Sequence, residues 1–202
     1  MQSLLAALLL VAALPLVAEA SPGPMAVLKQ KNSEVDRLLR QRPEVGSAEE
    51  KRQKNDIKVL ASALLDYSEL ARRSLSAHWD KLTSAQRDEF IGTLRELIER
   101  NYVKQLRTNL DYQVSYKTEQ IDGEEATVQT VVKVKTQGKS TDAEIIYKLK
   151  KGDGSAGWRV YDVITDEVSL VRNYRNQFQK IITEKSYDEL IKKMKSKLGA
   201  GT

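Results

Sequence analysis

The chain has 202 residues, enough for one domain or one domain with a small appendage. Charged residues make up 30% and the hydrophobic set 41%, a globular balance that excludes a wholly disordered or fibrous chain. Lys and Arg number 33 against 28 Asp and Glu, and this net +5 is spread without like-charge blocks, which points to solubility rather than to a nucleic-acid-binding tract.

The N-terminal stretch MQSLLAALLLVAALPLVAEA is apolar from Leu4 to Ala18 and closes on Ala18-Glu19-Ala20. An apolar core of this length is short for a bilayer span, and small residues at its end form a cleavage signal. The expectation is a secretory signal peptide over residues 1–20, cleaved after Ala20, and a single α+β domain over residues 21–202. The chain contains no cysteine, which removes thiol chemistry and Cys-based zinc sites. A core of this size does not need disulfides in an exported compartment.

Past the SPGP segment, Val27, Leu28, Val35, Leu38 and Leu39 space like one side of a helix that ends near Pro43. GSAEEKRQKN reads as polar surface. A strong helical pattern follows from about Asp56 with Ile57, Leu60, Ala61 and Leu64, continuing to Leu70, Ala71 and Leu75. Thr83 with Gln86 three residues on is a capping box, opening a helix that turns Phe90, Leu94, Leu97 and Ile98 inward.

The period then changes from 3.6 to 2. Tyr112, Val114 and Tyr116 alternate in the first strand, and Val128, Thr130, Val132 and Val134 in the second, after an Asp122-Gly123 turn. Ala143, Ile145, Tyr147 and Leu149 alternate in the third, and WRVYDVI forms the fourth. Tight turns between successive strands predict an antiparallel meander with one apolar face. A helix from about Ser169 carries Val171, Tyr174 and Phe178 on one side. A last amphipathic helix holds Tyr187, Leu190, Ile191, Met194 and Leu198. The expected fold is therefore α+β, with N-terminal helices first and helices packed over one face of a four-stranded or slightly larger antiparallel sheet.

Catalytic patterns are absent: the chain has no G-x-S-x-G, P-loop, G-x-G-x-x-G or H-E-x-x-H. His78 is the only histidine, so a multi-His metal site cannot form from this chain, and a role at a helix end is expected for it. Asp162 is unusual inside an apolar strand. It could be a desolvated general base, or it could mark a strand irregularity or pair with an Arg. Asp166 and Glu167 are expected to cap the helix that follows. Lys133, Lys135, Lys148 and Lys150 fall at alternating outward positions and read as a solvated face, not as a nucleic-acid surface. The tyrosines of the sheet and its neighbouring helices suit a close-packed core and a wet-edged cavity equally well.

Two longer segments carry a resemblance. LDYSELARRSLSAHWDKLTSAQRDEFIGTLRELIERNYVKQL (65–106) and GWRVYDVITDEVSLVRNYRNQFQKII (157–182) resemble the MlaC-like, toluene-tolerance-type periplasmic phospholipid-binding proteins. The second matches the family pattern W-x-V-Y-D-V-x-x-x-x-V-S-L-V-x-N-Y-R-x-Q-F. Departures are Leu65-Asp66-Tyr67 in place of the commoner aromatic-Asp opening, and Ser76-Ala77 where a Gly is frequent. The resemblance implies a sheet of nuclear-transport-factor-2-like (NTF2-like) form and a monomeric periplasmic carrier with no catalytic residue, metal or cofactor, whose cargo is a glycerophospholipid. It implies exchange with an inner-membrane ABC transporter bearing an MCE-domain subunit and with an outer-membrane lipoprotein–porin complex, and no nucleic-acid partner. The residues expected against the acyl tails are Leu94, Leu97, Tyr102, Tyr112, Val132, Val134, Tyr147, Val163, Val171, Tyr174 and Phe178. Arg172 and Arg175 are expected to meet the head group or a partner. The competing expectation is an enzyme of NTF2-like fold acting on an apolar small molecule, with Asp162 as its base.

Overall fold

The computed structural model describes residues 22–108, 112–136, 139–152 and 157–199, with side chains undescribed at 102–108, 135, 136 and 139; the expected signal peptide lies outside them. Helix α1 (Pro24–Arg40) starts on Pro24, whose ring fixes a helical φ where no N–H partner is needed. It buries Leu28, Val35, Leu38 and Leu39 on one stripe, as their spacing requires. Helix α2 (Ala48–Leu64) begins earlier than its apolar pattern suggests, so the GSAEEKRQKN segment is mostly helix. The cause is a reciprocal cap. Ser47 Oγ accepts from the Glu50 N–H at 3.1 Å, and the Glu50 carboxylate accepts from the Gly46 N–H at 2.9 Å. Ser47-x-x-Glu50 is the signal that finds this start in the sequence.

The helical pattern from Ile57 to Leu75 is broken in two. At Leu65 the backbone turns extended and bridges Val160 in parallel, and the Asp66 N–H donates to the Val160 carbonyl at 2.7 Å. Asp66 then caps helix α3 (Tyr67–Leu75) by accepting from the Glu69 N–H at 2.9 Å. Arg159 donates to the carbonyls of Ser62 and Leu65, satisfying acceptors that the end of α2 leaves open. A 3-10 turn, Ser76–Lys81, leads to helix α4 (Ser84–Thr108), and the Thr83–Gln86 capping box forms as expected.

Strands β1 (Tyr112–Asp122), β2 (Glu125–Thr136), β3 (Lys139–Lys151), β4 (Trp158–Thr165) and β5 (Val168–Ser169) form one antiparallel sheet in the order β1-β2-β3-β4-β5. The short fifth strand pairs with β4 across Asp166 and Glu167, whose φ values of 47° and 65° suit a tight hairpin turn. These two residues therefore make the turn and do not cap the next helix. That cap is Ser169, whose Oγ accepts from the Arg172 N–H at 3.0 Å and opens helix α5 (Leu170–Glu184). Helix α6 (Tyr187–Gly199) closes the described chain.

Two layers result, matching the expected α+β order with helices preceding the strands. Tyr67, Leu70, Phe90, Leu94, Val171, Phe178, Leu190 and Met194 form a core among α3, α4, α5 and α6. A second core lies on the sheet, where Leu28 of α1 meets Val128, Leu149, Trp158 and Val160. Leu65 packs against both, so the break between α2 and α3 is where the layers meet.

One backbone site is strained. Ser76 holds φ 51° with ψ −126°, a region that a side chain disfavours and glycine occupies freely. Ser76→Gly is therefore expected to raise unfolding free energy by about 1 kcal/mol in chemical denaturation. An unchanged or lower stability would contradict that strain.

Candidate functional site

The side of the sheet that α1 covers is closed at one end and open at the other. Ala126 and Val128 of β2, Leu149 of β3 and Val160 of β4 are 0–4% exposed. Further along the same strands Val132, Val134, Ala143, Ile145, Tyr147 and Val163 are only half-buried. Register makes this a continuous patch: Val132 pairs with Val114 and Ala143, Val134 with Tyr112, and Tyr147 with Val163. Apolar side chains left partly uncovered over several strands form a surface that a ligand or partner can cover.

Val160 and Val163 share this face although they are three residues apart, because β4 bulges against β3 between Lys148 and Leu149. The bulge turns Asp162 to the opposite face beside Lys148. There Asp162, 8% exposed, accepts from the Ser169 hydroxyl at 2.6 Å and from the Val171 N–H at 3.0 Å. Both carboxylate oxygens thus hold the N-terminus of α5 on the sheet, and the residue marks a strand irregularity, one of the three alternatives open in the sequence.

The expected tail-facing residues divide among three places. Tyr147 and Val163 lie at the edge of the sheet core, and Val132 and Val134 continue from them. Tyr112 packs under the α1–α2 pair with Val35, Leu38 and Ile57. Leu94, Val171 and Phe178 are buried in the helical core, with Leu97 and half-buried Tyr174 packed against it. Tyr174 stacks on Phe178 at 5.2 Å, and Phe178 meets Phe90 edge-on at 5.4 Å. Tyr102 is among the residues whose side chains are outside the described set. Val114, Ala143 and Ile145, which join the open patch, were not singled out in the sequence. Their alternation was visible there, but their adjacency depends on strand register.

A polar network covers the other face where α3 crosses β2 and β4. Glu69, 7% exposed, receives Arg72 and Arg73, and Arg73 continues to Glu125. The Arg73 guanidinium lies 3.9 Å from the centre of the Tyr161 ring, whose hydroxyl donates to Glu125 at 2.9 Å. Hydrogen bonds from Arg72, then Arg73, hold the Glu69 carboxyl at about 2, against an outweighed burial effect. Burial, reinforced by the bond to Glu125, pushes the Tyr161 hydroxyl up to about 12. Arg172 donates to the Glu167 carbonyl at 2.6 Å, and Arg175 Nε donates to the Arg73 carbonyl at 3.0 Å.

The model for the family described as MlaC protein matches residues 29–196. The intermembrane phospholipid transport system binding protein MlaC of Haemophilus influenzae is 24% identical over 139 residues, which cover 67% of this chain. The chain spans 65% of that relative's length, just under two thirds. The solved structure of the phospholipid-binding protein from Ralstonia solanacearum, in complex with a phospholipid, superposes with a TM-score of 0.68 at 19% identity. That match covers 85% of this chain and 94% of the other, and it establishes the shared fold.

Two outcomes test the network. A carboxyl held low contributes stability that is full above its ordinary value of 4.5 and disappears as pH falls through about 2. The stability gap between the wild type and Glu69→Gln should therefore narrow over that range in acid denaturation. Asp162→Ala strands the Val171 N–H and the Ser169 hydroxyl and should cost about 2 kcal/mol in urea unfolding.

Proposed function

The chain belongs to the MlaC family, and from that premise we propose that it is a periplasmic carrier that shuttles a glycerophospholipid between membranes. The observation that carries this reading is the open apolar end of the sheet, where Val132, Val134, Ile145, Tyr147 and Val163 stay half-buried beside a fully closed core. Each acyl methylene removed from water contributes about 0.8 kcal/mol, so two tails of ~30 methylenes represent roughly 24 kcal/mol gross. A carrier must supply an apolar surface that restores most of this, or the lipid cannot leave its bilayer. No bond is made or broken in such a transfer, so no general base is required.

In this reading the tails lie between sheet and helices. Val132, Val134, Tyr147, Val163 and Tyr112 would meet them from the sheet, and Leu97 and Tyr174 from the helices. Leu94, Val171 and Phe178 would support that wall from behind. The bound phospholipid is the cargo, with no cofactor. Delivery would run between an inner-membrane ABC transporter with an MCE-domain subunit and an outer-membrane lipoprotein–porin complex, as the family resemblance implies. Export through residues 1–20 would put the mature monomer in the compartment between them.

Native mass spectrometry of the protein purified from a Gram-negative periplasm is expected to show a co-purifying phospholipid. Protein that arrives clean and takes up no lipid from vesicles would sink the proposal. Val132→Asp is expected to abolish loading while shifting the melting temperature little, because a charge in a tail-lined groove is costly when lipid excludes water but tolerable when the groove is wet.

A further inference from the structure

On the sheet face opposite the apolar patch, a recess of about 310 Å³ opens between β3, β4, α3 and α5. Arg73, Lys148, Asp162, Ser169, Arg172 and Arg175 supply its polar lining. Arg73 and Arg175 also border a second recess of about 280 Å³, which Arg72, Ser76 and Trp79 help to close.

The charges around these recesses are unevenly matched. Arg72 and Arg73 are paired with Glu69, and Arg73 also with Glu125. Asp162, the carboxylate in the larger recess, uses both oxygens on Ser169 and Val171. Asp80 borders the smaller one. Lys148 donates to the Thr127 hydroxyl, Arg172 to a carbonyl and Arg175 through Nε to a carbonyl; none of the three has an ion-pair partner among the described residues. The bond from Arg175 Nε fixes the plane of its guanidinium, and its two terminal amino groups make no hydrogen bond among the described residues. The positive end of the 15-residue helix α5 adds to the same field. Strained Ser76 sits on the rim of the adjoining recess, and strain of this kind concentrates at binding sites.

We infer that the recess between Lys148, Arg172 and Arg175 binds a phosphate oxyanion. Planar guanidinium donors on one side and an ammonium on the other match a tetrahedral group with several acceptor oxygens. Lys148 points away from Tyr147 and Val163, so this site is separate from the tail groove and does not depend on the carrier reading. The phosphate could come from the phosphodiester head group of a lipid at a membrane surface or from free phosphate.

The test is calorimetric titration of the protein as purified at constant ionic strength, with inorganic phosphate, glycerophosphoglycerol and an oligoglutamate peptide as probes. Saturable binding of either phosphate probe is expected, and the tighter of the two identifies the source. Lys148→Gln and Arg175→Gln should each weaken it about tenfold, and Lys148→Gln should leave phospholipid loading by native mass spectrometry unchanged. Lys148→Gln removes only a bond to Thr127, so it keeps the test valid if Arg175→Gln loosens α3. Absence of saturable phosphate binding, affinity unaltered in Lys148→Gln, or tighter binding of the oligoglutamate would each overturn the assignment, the last in favour of an acidic protein partner. Wild-type protein that binds phosphate saturably but carries and takes up no phospholipid would count against the carrier reading alone.

Discussion

The junction between β4 and α5 depends on a buried carboxylate. Asp162 reaches the start of α5 only because β4 bulges after Val160, and that bulge decides which side chains face which layer. Without it, strict alternation would place Val163 opposite Val160 and Asp162 in the apolar sheet core. With it, two valines stay inside, Tyr161 and Asp162 turn outward, and the helix N-terminus finds an acceptor. The docking of α5, the position of Val171 and Phe178 in the helical core, and the basic recess all follow from this one irregularity.

A second tie acts across the same face. Glu69 gathers two arginines on α3, and Arg73 carries the contact on to Glu125 and the Tyr161 ring. Exposed ion pairs contribute little to stability singly. Here the central carboxylate is nearly buried and accepts from both arginines, so the charges act as one network and not as single exposed pairs. The tie fixes the angle of α3 on the sheet without covering the opposite, apolar face.

That division of labour suits a carrier. Structural bonds are concentrated on the polar face and in the helical core, where Phe90, Leu94 and Leu190 are fully buried. The open end of the sheet carries apolar area but few of those bonds. A ligand entering there would meet side chains that are not already committed to holding the fold.

Much of the architecture was legible in the sequence because it rests on local periodicity and caps. The meander appears in the alternation from Tyr112 onward, α4 in its capping box, and the buried stripe of α5 in Val171, Tyr174 and Phe178. The family resemblance was legible as well, since its signature runs through contiguous residues. What tertiary structure alone decided were non-local matters. Leu65 leaves the helix because Val160 pairs with it from nearly a hundred residues away; the one local mark of that break, Asp66 as the cap of α3, sits inside an apolar pattern that runs on through it. Asp166 and Glu167 form a turn because β5 folds back on β4. Val114, Ala143 and Ile145 became neighbours of Val132 and Tyr147 through register, which one-dimensional alternation does not specify. The sequence by itself determined which residues are apolar and on which local face they lie. Only the packed structure decided which of those faces are fully covered, because coverage depends on how distant elements meet.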